Sequence, residues 1–418
     1  MISVLAALLL APLPSDSDWP GFRGPTGDGV AASASAPILW DRETNVRWRV
    51  DLSRPANGSP IVVNSRVFLT LPEDEDGQER SLYCFDADSG EKLWARTIDH
   101  DEVMPTHNTN PYGGSTPASD GERVVVWHGS AGLACYGHDG EPLWDVDLGE
   151  FRHMWGYGTS PVIVGERVLM HSGPGARSAL FCLDLGTGDI LWSHEEADHR
   201  DEEAIEQKRL AGSWSTPVVH GEGPDAVVIL PHPTRIAGYR LQDGEELWTC
   251  GGVPSTRGDM VYASPVLHGD VAFVHGGYVG PSIGVRLGGR GDVTETHRVW
   301  HHPEQMSTCG SGLALEDVLL MPDMGGMLVA LDPASGERLW RERLGRGGSW
   351  GSLVRSGEHL YQTLQSGVTV VFHANRDGLE ILAENDLGEE TNATPAIGDG
   401  RIYLRTHEAL WCLEVPED

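Results

Sequence analysis

The feature that most constrains this chain is an internal repeat. One phrase, a glycine turn followed by Leu and Trp, occurs five times and ends at Trp94, Trp144, Trp192, Trp248 and Trp340, with a more divergent copy ending at Trp300. A second phrase, Ser or Thr before Pro, recurs at Pro60, Pro117, Pro161, Pro217, Pro265 and Pro395, with degenerate copies at Gly312 and Leu353. Eight copies at a mean spacing of about 48 residues indicate eight structural units.

Each unit has the pattern of four short strands. In the first unit these are IVV after Pro60, then RVFLTL, SLYCFD and EKLWART, with the turn Asp88-Ser89-Gly90 between the last two. The composition agrees, because 53 Gly and 26 Pro suit many tight turns. The sequence therefore predicts an all-β fold, an eight-bladed β-propeller of four-stranded antiparallel blades.

The two ends of the repeat predict how the ring closes. The eighth unit begins at Pro395 and is one strand short, while NVRWRVDL around Trp48 has no unit before it. An open eighth blade would expose a bare sheet edge. We therefore expect residues 41–55 to complete blade 8, within a propeller domain of residues 41–418 that follows an N-terminal extension at 19–40.

Residues 1–18 are predicted to be a signal peptide. Their run MISVLAALLLAPLP is too short to span a bilayer but suits a signal hydrophobic region, so we expect an exported protein, periplasmic or secreted, with no transmembrane span. The first cysteine is Cys84, which leaves no N-terminal acceptor for a lipid. We also expect a monomer.

The charge balance argues against nucleic acid as a partner. The chain has 30 basic and 62 acidic residues, a formal net charge of −32. Phosphate backbones and anionic headgroups are bound through clustered Lys and Arg. The expected partner is therefore an unidentified protein or a small ligand.

The repeated phrase resembles the tryptophan-docking motif AxDxxTGxxxW of quinoprotein propellers, also called pyrroloquinoline-quinone-like repeats. ALDPASGERLW, ending at Trp340, matches it, and CFDADSGEKLW and CLDLGTGDILW match with Cys for Ala. The opening WPGFRGPTGDG is similar to that of exported bacterial propeller proteins. The resemblance covers about residues 19–418. It implies that a Trp in seven of the eight units docks on the neighbouring blade, namely Trp48, Trp94, Trp144, Trp192, Trp248, Trp300 and Trp340.

The same resemblance bears on catalysis. Catalytic quinoproteins carry two adjacent cysteines over the cofactor and a calcium ligand set beside a catalytic Asp, but no two cysteines here are adjacent. We therefore expect no catalytic residues and no cofactor. Pyrroloquinoline quinone with calcium is the alternative. A second relative, the propeller lipoprotein of the barrel-assembly machinery, is a scaffold.

The six cysteines could form disulfide bonds or could be free thiols packed in the core. Cys84, Cys135, Cys182 and Cys412 occupy the same third-strand position in four units, where other units have Gly238 or Ala330. Equivalent positions in neighbouring blades are expected to lie beyond the roughly 7 Å Cα limit of a disulfide. We therefore predict buried thiols, chosen for their small size.

Candidate ligand residues precede the inner strands. They are expected to ring one channel mouth, and they are Asn57, Tyr112, Trp155, Tyr157, Trp214, Tyr262, Trp350 and Asn392, with Arg257 and Asp259 supplied by a loop. Aromatic and amide groups suit a planar or sugar-like ligand. They could equally fill the channel as a plug, and the sequence leaves both interpretations open.

Two further sequence patterns concern a possible metal site and a charged insertion. Most histidines fall in the loops of one face, but only His301 and His302 are adjacent, so no metal site is predicted. The insertion HEEADHRDEEAIEQKR, at 194–209, has helix-forming composition and is expected to form a short charged helix on the loop face.

Taken together, the sequence favours an exported, non-catalytic propeller scaffold that binds a protein partner or a small ligand at its loop face. The alternative is a quinone-dependent oxidoreductase acting on alcohols or sugars. The two differ in whether the channel mouth holds a redox cofactor.

Overall fold

The repeat folds into eight sheets arranged as an eight-bladed β-propeller. The computed structural model describes residues 17–32, 36–175, 177–196, 210–255 and 257–416. The predicted signal peptide, apart from its last two residues, and most of the predicted charged helix at 194–209 lie outside this range. None of the described helices is long and apolar enough to cross a membrane.

Blades 1 to 4 each contain four antiparallel strands in sequence order from the channel outward. Their strands are Ile61–Val63, Arg66–Pro72, Glu79–Asp86 and Lys92–Asp99 in blade 1; Ala118–Ser119, Arg123–Trp127, Leu133–Gly137 and Pro142–Val146 in blade 2; Val162–Val164, Arg167–His171, Ala179–Asp184 and Ile190–Glu195 in blade 3; and Val218–His220, Val227–Pro231, Arg235–Arg240 and Glu246–Gly251 in blade 4.

Blades 5 to 8 follow the same plan, except that the fourth strand of blade 8 comes from the N-terminal part of the chain. Their strands are Val266–His268, Val271–His275, Tyr278–Arg286 and Arg298–Ser307 in blade 5; Leu313–Ala314, Leu319–Pro322, Met327–Leu331 and Arg338–Arg343 in blade 6; Val354–Ser356, His359–Thr363, Val368–Asn375 and Gly378–Asp386 in blade 7; and Ala396–Gly398, Arg401–Arg405, Ala409–Leu413 and Val46–Asp51 in blade 8.

The predicted closure is confirmed. Strand Val46–Asp51 pairs antiparallel with Ala409–Leu413 and places Trp48 opposite Cys412. The last sheet thereby gains the strand that its own repeat lacks.

A few short elements lie outside the four-strand plan. Val30–Ala31 pairs in parallel with the inner strand of blade 7, and Gly291–Asp292 with the outer strand of blade 4. Ala211–Ser213 and Asp259–Val261 form a separate two-stranded parallel sheet between the loops that lead into blades 4 and 5. The helices within the described ranges are Gly129–Ala131, Gly223–Asp225 and Thr294–His297.

The repeated tryptophans pack each blade on the next. Within its own sheet each Trp faces a small residue of the third strand, as in the pairs Cys84 with Trp94 and Ala330 with Trp340. The indole N–H donates to a backbone carbonyl in the docking turn of the next blade at 2.9–3.0 Å for Trp48, Trp94, Trp144, Trp192, Trp300 and Trp340. A larger third-strand residue would push the indole away from that turn.

Two interfaces depart from this scheme. Trp248 is buried, yet within the described residues it makes no such bond to blade 5. Blade 7 has Ala383 where other blades have Trp, and its interface with blade 8 is covered by Trp40, which stacks on Tyr361 with ring centroids 6.5 Å apart.

The prediction of buried, unpaired thiols is confirmed for the third-strand cysteines. All six cysteines are free, and Cys84, Cys135, Cys182 and Cys412 are fully buried. Burial raises the pKa of Cys84, Cys135 and Cys412 to about 12. These thiols are neutral packing groups at physiological pH.

Candidate ligand cavity at the loop face

A cavity of about 550 Å³ opens on the propeller axis at the face that carries the loops between blades. The chain enters every blade from this face, so the residues before each inner strand meet around the axis. This volume is within the range of small-molecule sites.

Hydroxyl side chains form the floor of the cavity. They come from the Ser or Thr that precedes each inner strand, and they are Ser59, Thr116, Ser160, Thr216, Ser311, Ser352 and Thr394. Ser264 has the same position before blade 5 but does not line the cavity, and it is the eighth member of the series. In seven of the eight steps around the ring, the backbone N–H of one member donates to the hydroxyl of the next at 2.9–3.1 Å. We call this the hydroxyl ring.

One wall of the cavity is aromatic. Trp155 lies beside Trp214 with ring centroids 6.1 Å apart, and Trp214 beside Tyr262 at 5.1 Å. The Trp214 indole is held by a 3.1 Å bond to the carbonyl of Gly156. Trp350 lines the cavity from another blade. The rings therefore form a rigid, mainly apolar surface.

Another part of the wall is a chain of amides. Gln365 donates to Asn392 Oδ1 at 2.8 Å, and Asn392 donates to Asn57 Oδ1 at 3.2 Å. Asn57 then donates to Asn110 Oδ1 at 3.1 Å, and Asn110 to the carbonyl of Trp155 at 2.8 Å. The network links blades 7, 8, 1 and 2 across the mouth and fixes the orientation of these amides.

Six predicted mouth residues line the cavity, and four do not. The lining members are Asn57, Trp155, Trp214, Tyr262, Trp350 and Asn392. Tyr112 and Tyr157 instead pack around the buried Arg80, whose guanidinium carbon lies 5.2 and 5.6 Å from their ring centroids. Their sequence positions close to the inner strands suggested the channel mouth and gave no indication that both rings pack on Arg80 of blade 1.

The two predicted charged residues also lie outside the cavity lining. Asp259 is buried and its Oδ1 accepts a bond from the Ser255 amide at 3.1 Å, which shapes the loop before blade 5. Arg257 is exposed. Neither side chain supplies charge to the wall.

Several lining residues were missed by the sequence reasoning. They are Phe22, His107, Thr109, Asn110, Tyr278, Cys309 and Met324, together with every member of the hydroxyl ring except Ser264. Burial raises the pKa of the Cys309 thiol to about 12, so this residue lines the cavity as a neutral group. In the sequence, the Ser/Thr-Pro phrase contains the hydroxyl residues of this ring, but we interpreted the phrase only as an indication of the number of blades.

The N-terminal segment 17–32 crosses the channel below the ring. Trp19 pairs with Val62 in the inner strand of blade 1, and the Pro20 carbonyl accepts a bond from Ser119 of blade 2. On the opposite side, Arg23 donates to the Gly312 carbonyl of blade 6 at 2.5 Å. Phe22 reaches the cavity. The segment thus covers the channel beneath the cavity. The aromatic residues of the mouth line the cavity without filling its interior.

The cavity wall is uncharged. Among the described residues that line it there is no Asp, Glu, Lys or Arg. His107 supplies the one imidazole among the described residues that line the cavity. Such a wall favours neutral ligands, because an anion or cation would lose its hydration without gaining a counter-charge.

Pyrroloquinoline quinone with calcium makes different demands. The quinone is a polycarboxylate, and calcium takes oxygen ligands that commonly include carboxylates. The described wall offers no Lys, no Arg and no carboxylate, and the described residues contain no group of three His, Cys, Asp or Glu that could hold a metal ion. The residues present do not fit this cofactor. The expectation that none binds stays a prediction.

Eight four-stranded blades, docked tryptophans and an axial loop-face cavity define a pyrroloquinoline-quinone-like β-propeller. The chain belongs to the family described as the outer membrane protein assembly factor BamB, whose model matches residues 21–103, 78–321 and 324–414. No curated protein sequence matches it.

Solved structures with the same fold include BamB and a quinohemoprotein alcohol dehydrogenase. BamB from Moraxella catarrhalis is 14% identical, with a TM-score of 0.60 over 88% of this chain and 99% of its own. The quinohemoprotein alcohol dehydrogenase from Comamonas testosteroni is 12% identical, with a TM-score of 0.61 over 96% of this chain and 82% of its own. A computationally designed protein, Ika8, is 12% identical, with a TM-score of 0.58 over 87% and 98%. At these identities the likeness concerns the fold.

Proposed function

We propose that this protein is an exported, non-catalytic binding protein whose loop-face cavity receives a neutral ligand. The observation that carries the proposal is the wall of the cavity, which combines stacked aromatic rings with fixed amides and hydroxyls and has no charged side chain among its described residues. Aromatic faces bind planar or sugar rings, and the polar groups set their orientation.

The quinone-dependent oxidoreductase is the alternative. It would need cationic groups for the quinone carboxylates and carboxylate or amide oxygens for calcium. The amide oxygens of the wall are already engaged, since Asn392 Oδ1 accepts from Gln365 at 2.8 Å and Asn57 Oδ1 accepts from Asn392 at 3.2 Å. Recruiting them as metal ligands would break that network. This cost favours the binding protein.

A scaffold that holds a partner protein is the second candidate. The family description supports it, and so do the outer strands of three consecutive blades. There Leu93 is 42% exposed, Leu143 47% and Leu191 45%. Unpaired outer strands that carry exposed aliphatic side chains are sites where another chain can add. This surface is separate from the cavity, so the two candidates make separable predictions.

The test is a binding titration followed by tryptophan fluorescence and melting temperature. Three probe sets are compared: neutral saccharides, neutral planar aromatics such as indole and coumarin, and pyrroloquinoline quinone with calcium. A ligand selective for the folded protein raises the melting temperature by mass action. We expect a member of one of the neutral sets to bind saturably, and the quinone with calcium to produce no shift.

Two variants separate the candidates. Trp214→Ala removes one ring of the aromatic wall and is expected to weaken binding of the neutral ligand at least tenfold. The triple variant Leu93→Ser, Leu143→Ser and Leu191→Ser alters the outer strands and is expected to leave cavity binding unchanged. Saturable stabilisation by the quinone, with dye reduction in the presence of alcohols or sugars, would replace the binding protein by the oxidoreductase.

A further inference from the structure

The aromatic wall of the cavity packs against His153, which does not itself line the cavity. The imidazole lies edge-on to Trp214, with ring centroids 4.8 Å apart and ring planes at 89°. It is also edge-on to Trp155, at 5.8 Å and 63°. Both tryptophans line the cavity. His153 therefore contacts two rings of the wall at once, and it can influence a ligand through them.

His153 also shapes the turn that carries this part of the wall. The Gly156 amide donates to the His153 carbonyl at 2.9 Å, which closes a turn of four residues, 153–156. Within the turn, the backbone N–H of Trp155 donates to His153 Nδ1 at 3.2 Å. The Gly156 carbonyl accepts the indole N–H of Trp214 at 3.1 Å. The turn thus holds Trp155 as one of its members and Trp214 through a hydrogen bond.

The bond to His153 Nδ1 requires a neutral imidazole. A backbone N–H can only donate, so Nδ1 is the acceptor and the ring proton belongs to Nε2. A protonated imidazole has N–H groups on both nitrogens and no acceptor. Protonation therefore sets two donors against each other at Trp155. The ring must then move away from the turn and lose its contact with Trp214.

The described surroundings of His153 hold no unpaired charge that would oppose this change. The charged side chains on the segments around it are Glu102, Glu150, Arg152, Arg177 and Glu195, and they form ion pairs with one another. Segment 210–217, which carries Trp214, has no titratable side chain. Tyr262, packed on Trp214, keeps its proton because burial raises the pKa of its phenol. Burial alone lowers the pKa of His153 from its usual 6.5.

We propose that His153 is a positioning residue of the ligand cavity: its neutral imidazole holds Trp155 and Trp214 in place, and its protonation releases them and lowers the affinity for the neutral ligand. This inference rests on the proposed function and adds its regulation by pH. One proton is taken up when the wall is released, so the affinity falls by at most tenfold for each pH unit. The cavity thus retains its ligand at neutral pH and releases it in acidic surroundings.

The first measurement needs no ligand. The imidazole signals of the full chain, the Trp155 amide and the Trp214 indole N–H are followed by NMR between pH 8 and 5. We expect the two tryptophan signals to shift with the midpoint of His153. In His153→Asn both should stay constant, because an Asn side chain accepts the N–H two residues ahead in an Asx turn and does not titrate. The other buried histidines are present in both proteins, so the difference isolates His153.

The second measurement is the affinity of the full chain for indole, coumarin and methyl glucopyranosides by calorimetry at pH 7.5, 6.0 and 5.0. A probe that binds at pH 7.5 should bind more weakly at each lower pH. His153→Asn should lose this pH dependence. His153→Ala should bind about tenfold more weakly than His153→Asn at pH 7.5, the effect of one missing hydrogen bond. A merely structural role would weaken binding in both variants without removing the pH dependence.

His107→Asn is the matched control. His107 also accepts a backbone N–H from two residues ahead, that of Thr109, at 3.3 Å, and it lines the cavity. Within the described part of the chain its ring packs on neither Trp155 nor Trp214. This variant removes an imidazole of the same mouth and the same local geometry. It should keep the full pH dependence, whatever its affinity at pH 7.5.

The outcomes separate this inference from the proposed function. If the Trp155 and Trp214 signals do not follow His153, or if His153→Asn keeps the pH dependence, the inference is wrong. If His107→Asn loses the pH dependence, His107 is the titrating group and the inference is also wrong. Affinity that rises on acidification would overturn it, since the imidazolium would then strengthen the wall by cation–π contact. If no neutral probe binds at pH 7.5, the proposed function fails, and the NMR titration still decides whether His153 holds the wall.

Discussion

The docking of Trp300 on blade 6 can be tested quantitatively through the glycine beneath it. Gly336 has φ +71°, and a Cβ on it would lie 2.4 Å from the Trp300 ring. Carbon atoms in contact are normally about 3.5–4.0 Å apart. An alanine at this position must therefore displace the indole, which also donates to the Pro333 carbonyl at 3.0 Å.

The expected magnitudes follow from two separate costs. A left-handed conformation costs a non-glycine residue roughly 1–2 kcal/mol. Gly223→Ala measures this cost alone, because Gly223 has φ +68° and a Cβ there would meet no atom within 4 Å. Truncation of a buried Trp costs about 3–5 kcal/mol. We expect Gly336→Ala to incur the backbone cost together with a substantial part of the loss of Trp packing. It should therefore lower the free energy of unfolding by about 3 kcal/mol or more.

The assay is a double-mutant cycle in chemical denaturation, with Trp300→Ala, Gly336→Ala and the double variant. Once Trp300 is truncated, the alanine at 336 meets no ring and costs only what Gly223→Ala costs. The two changes should then fall short of additivity by about 2 kcal/mol or more. Additive effects within about 0.5 kcal/mol, or equal costs of Gly336→Ala and Gly223→Ala, would refute the docking argument.

Two further predictions concern pH and closure. Burial lowers the folded-state pKa of His128 and His275 to about 3 and that of His171 to about 4, so their contribution to stability is present above pH 6.5 and lost as the pH falls toward those values. Each of these histidines should lower the free energy of unfolding by about 2 kcal/mol at pH 5. Chemical denaturation between pH 7 and 5 measures the change, and a free energy of unfolding that stays constant over this range would contradict the prediction. Burial raises the pKa of Glu196 to about 7, which favours the folded state at low pH and partly offsets this loss. Deleting residues 1–55 removes the closing strand and the segment that crosses the channel, so the melting temperature and solubility should fall sharply; an unchanged melting temperature would show that neither is needed.

Blade number and closure could be predicted from sequence because each repeated phrase carries one physical device. The Leu-Trp phrase places an indole on the next blade, as Trp94 does on the His138 carbonyl at 2.9 Å. The Ser/Thr-Pro phrase places a hydroxyl in the ring. Both devices are local in sequence and recur at a fixed spacing, so their copies count the blades.

The site was less predictable because its partners are distant in sequence. Tyr112 and Tyr157 were expected at the mouth, but Arg80 in blade 1 draws both rings to itself. The WPGFRGPTGDG segment gives no sign that it crosses the channel, since its contacts come from blades on both sides. The sequence of blade 7 likewise shows no substitute for its missing Trp. Only the structure shows that Trp40 covers the interface with blade 8.

Apart from the missing Trp of blade 7, the departures from the repeat lie at the interface between blades 4 and 5. There Trp248 lacks the bond that six other docking tryptophans make, and the hydroxyl ring is open between Thr216 and Ser264. The extra parallel sheet of Ala211–Ser213 and Asp259–Val261 joins the loops above the same interface. A repeat protein gains stability from each regular interface, so irregularities gathered at one of them are best explained by a function located there. Trp214 and Tyr262 lie on the loops that lead into these two blades, with ring centroids 5.1 Å apart, so the irregular interface adjoins the aromatic wall of the proposed ligand cavity.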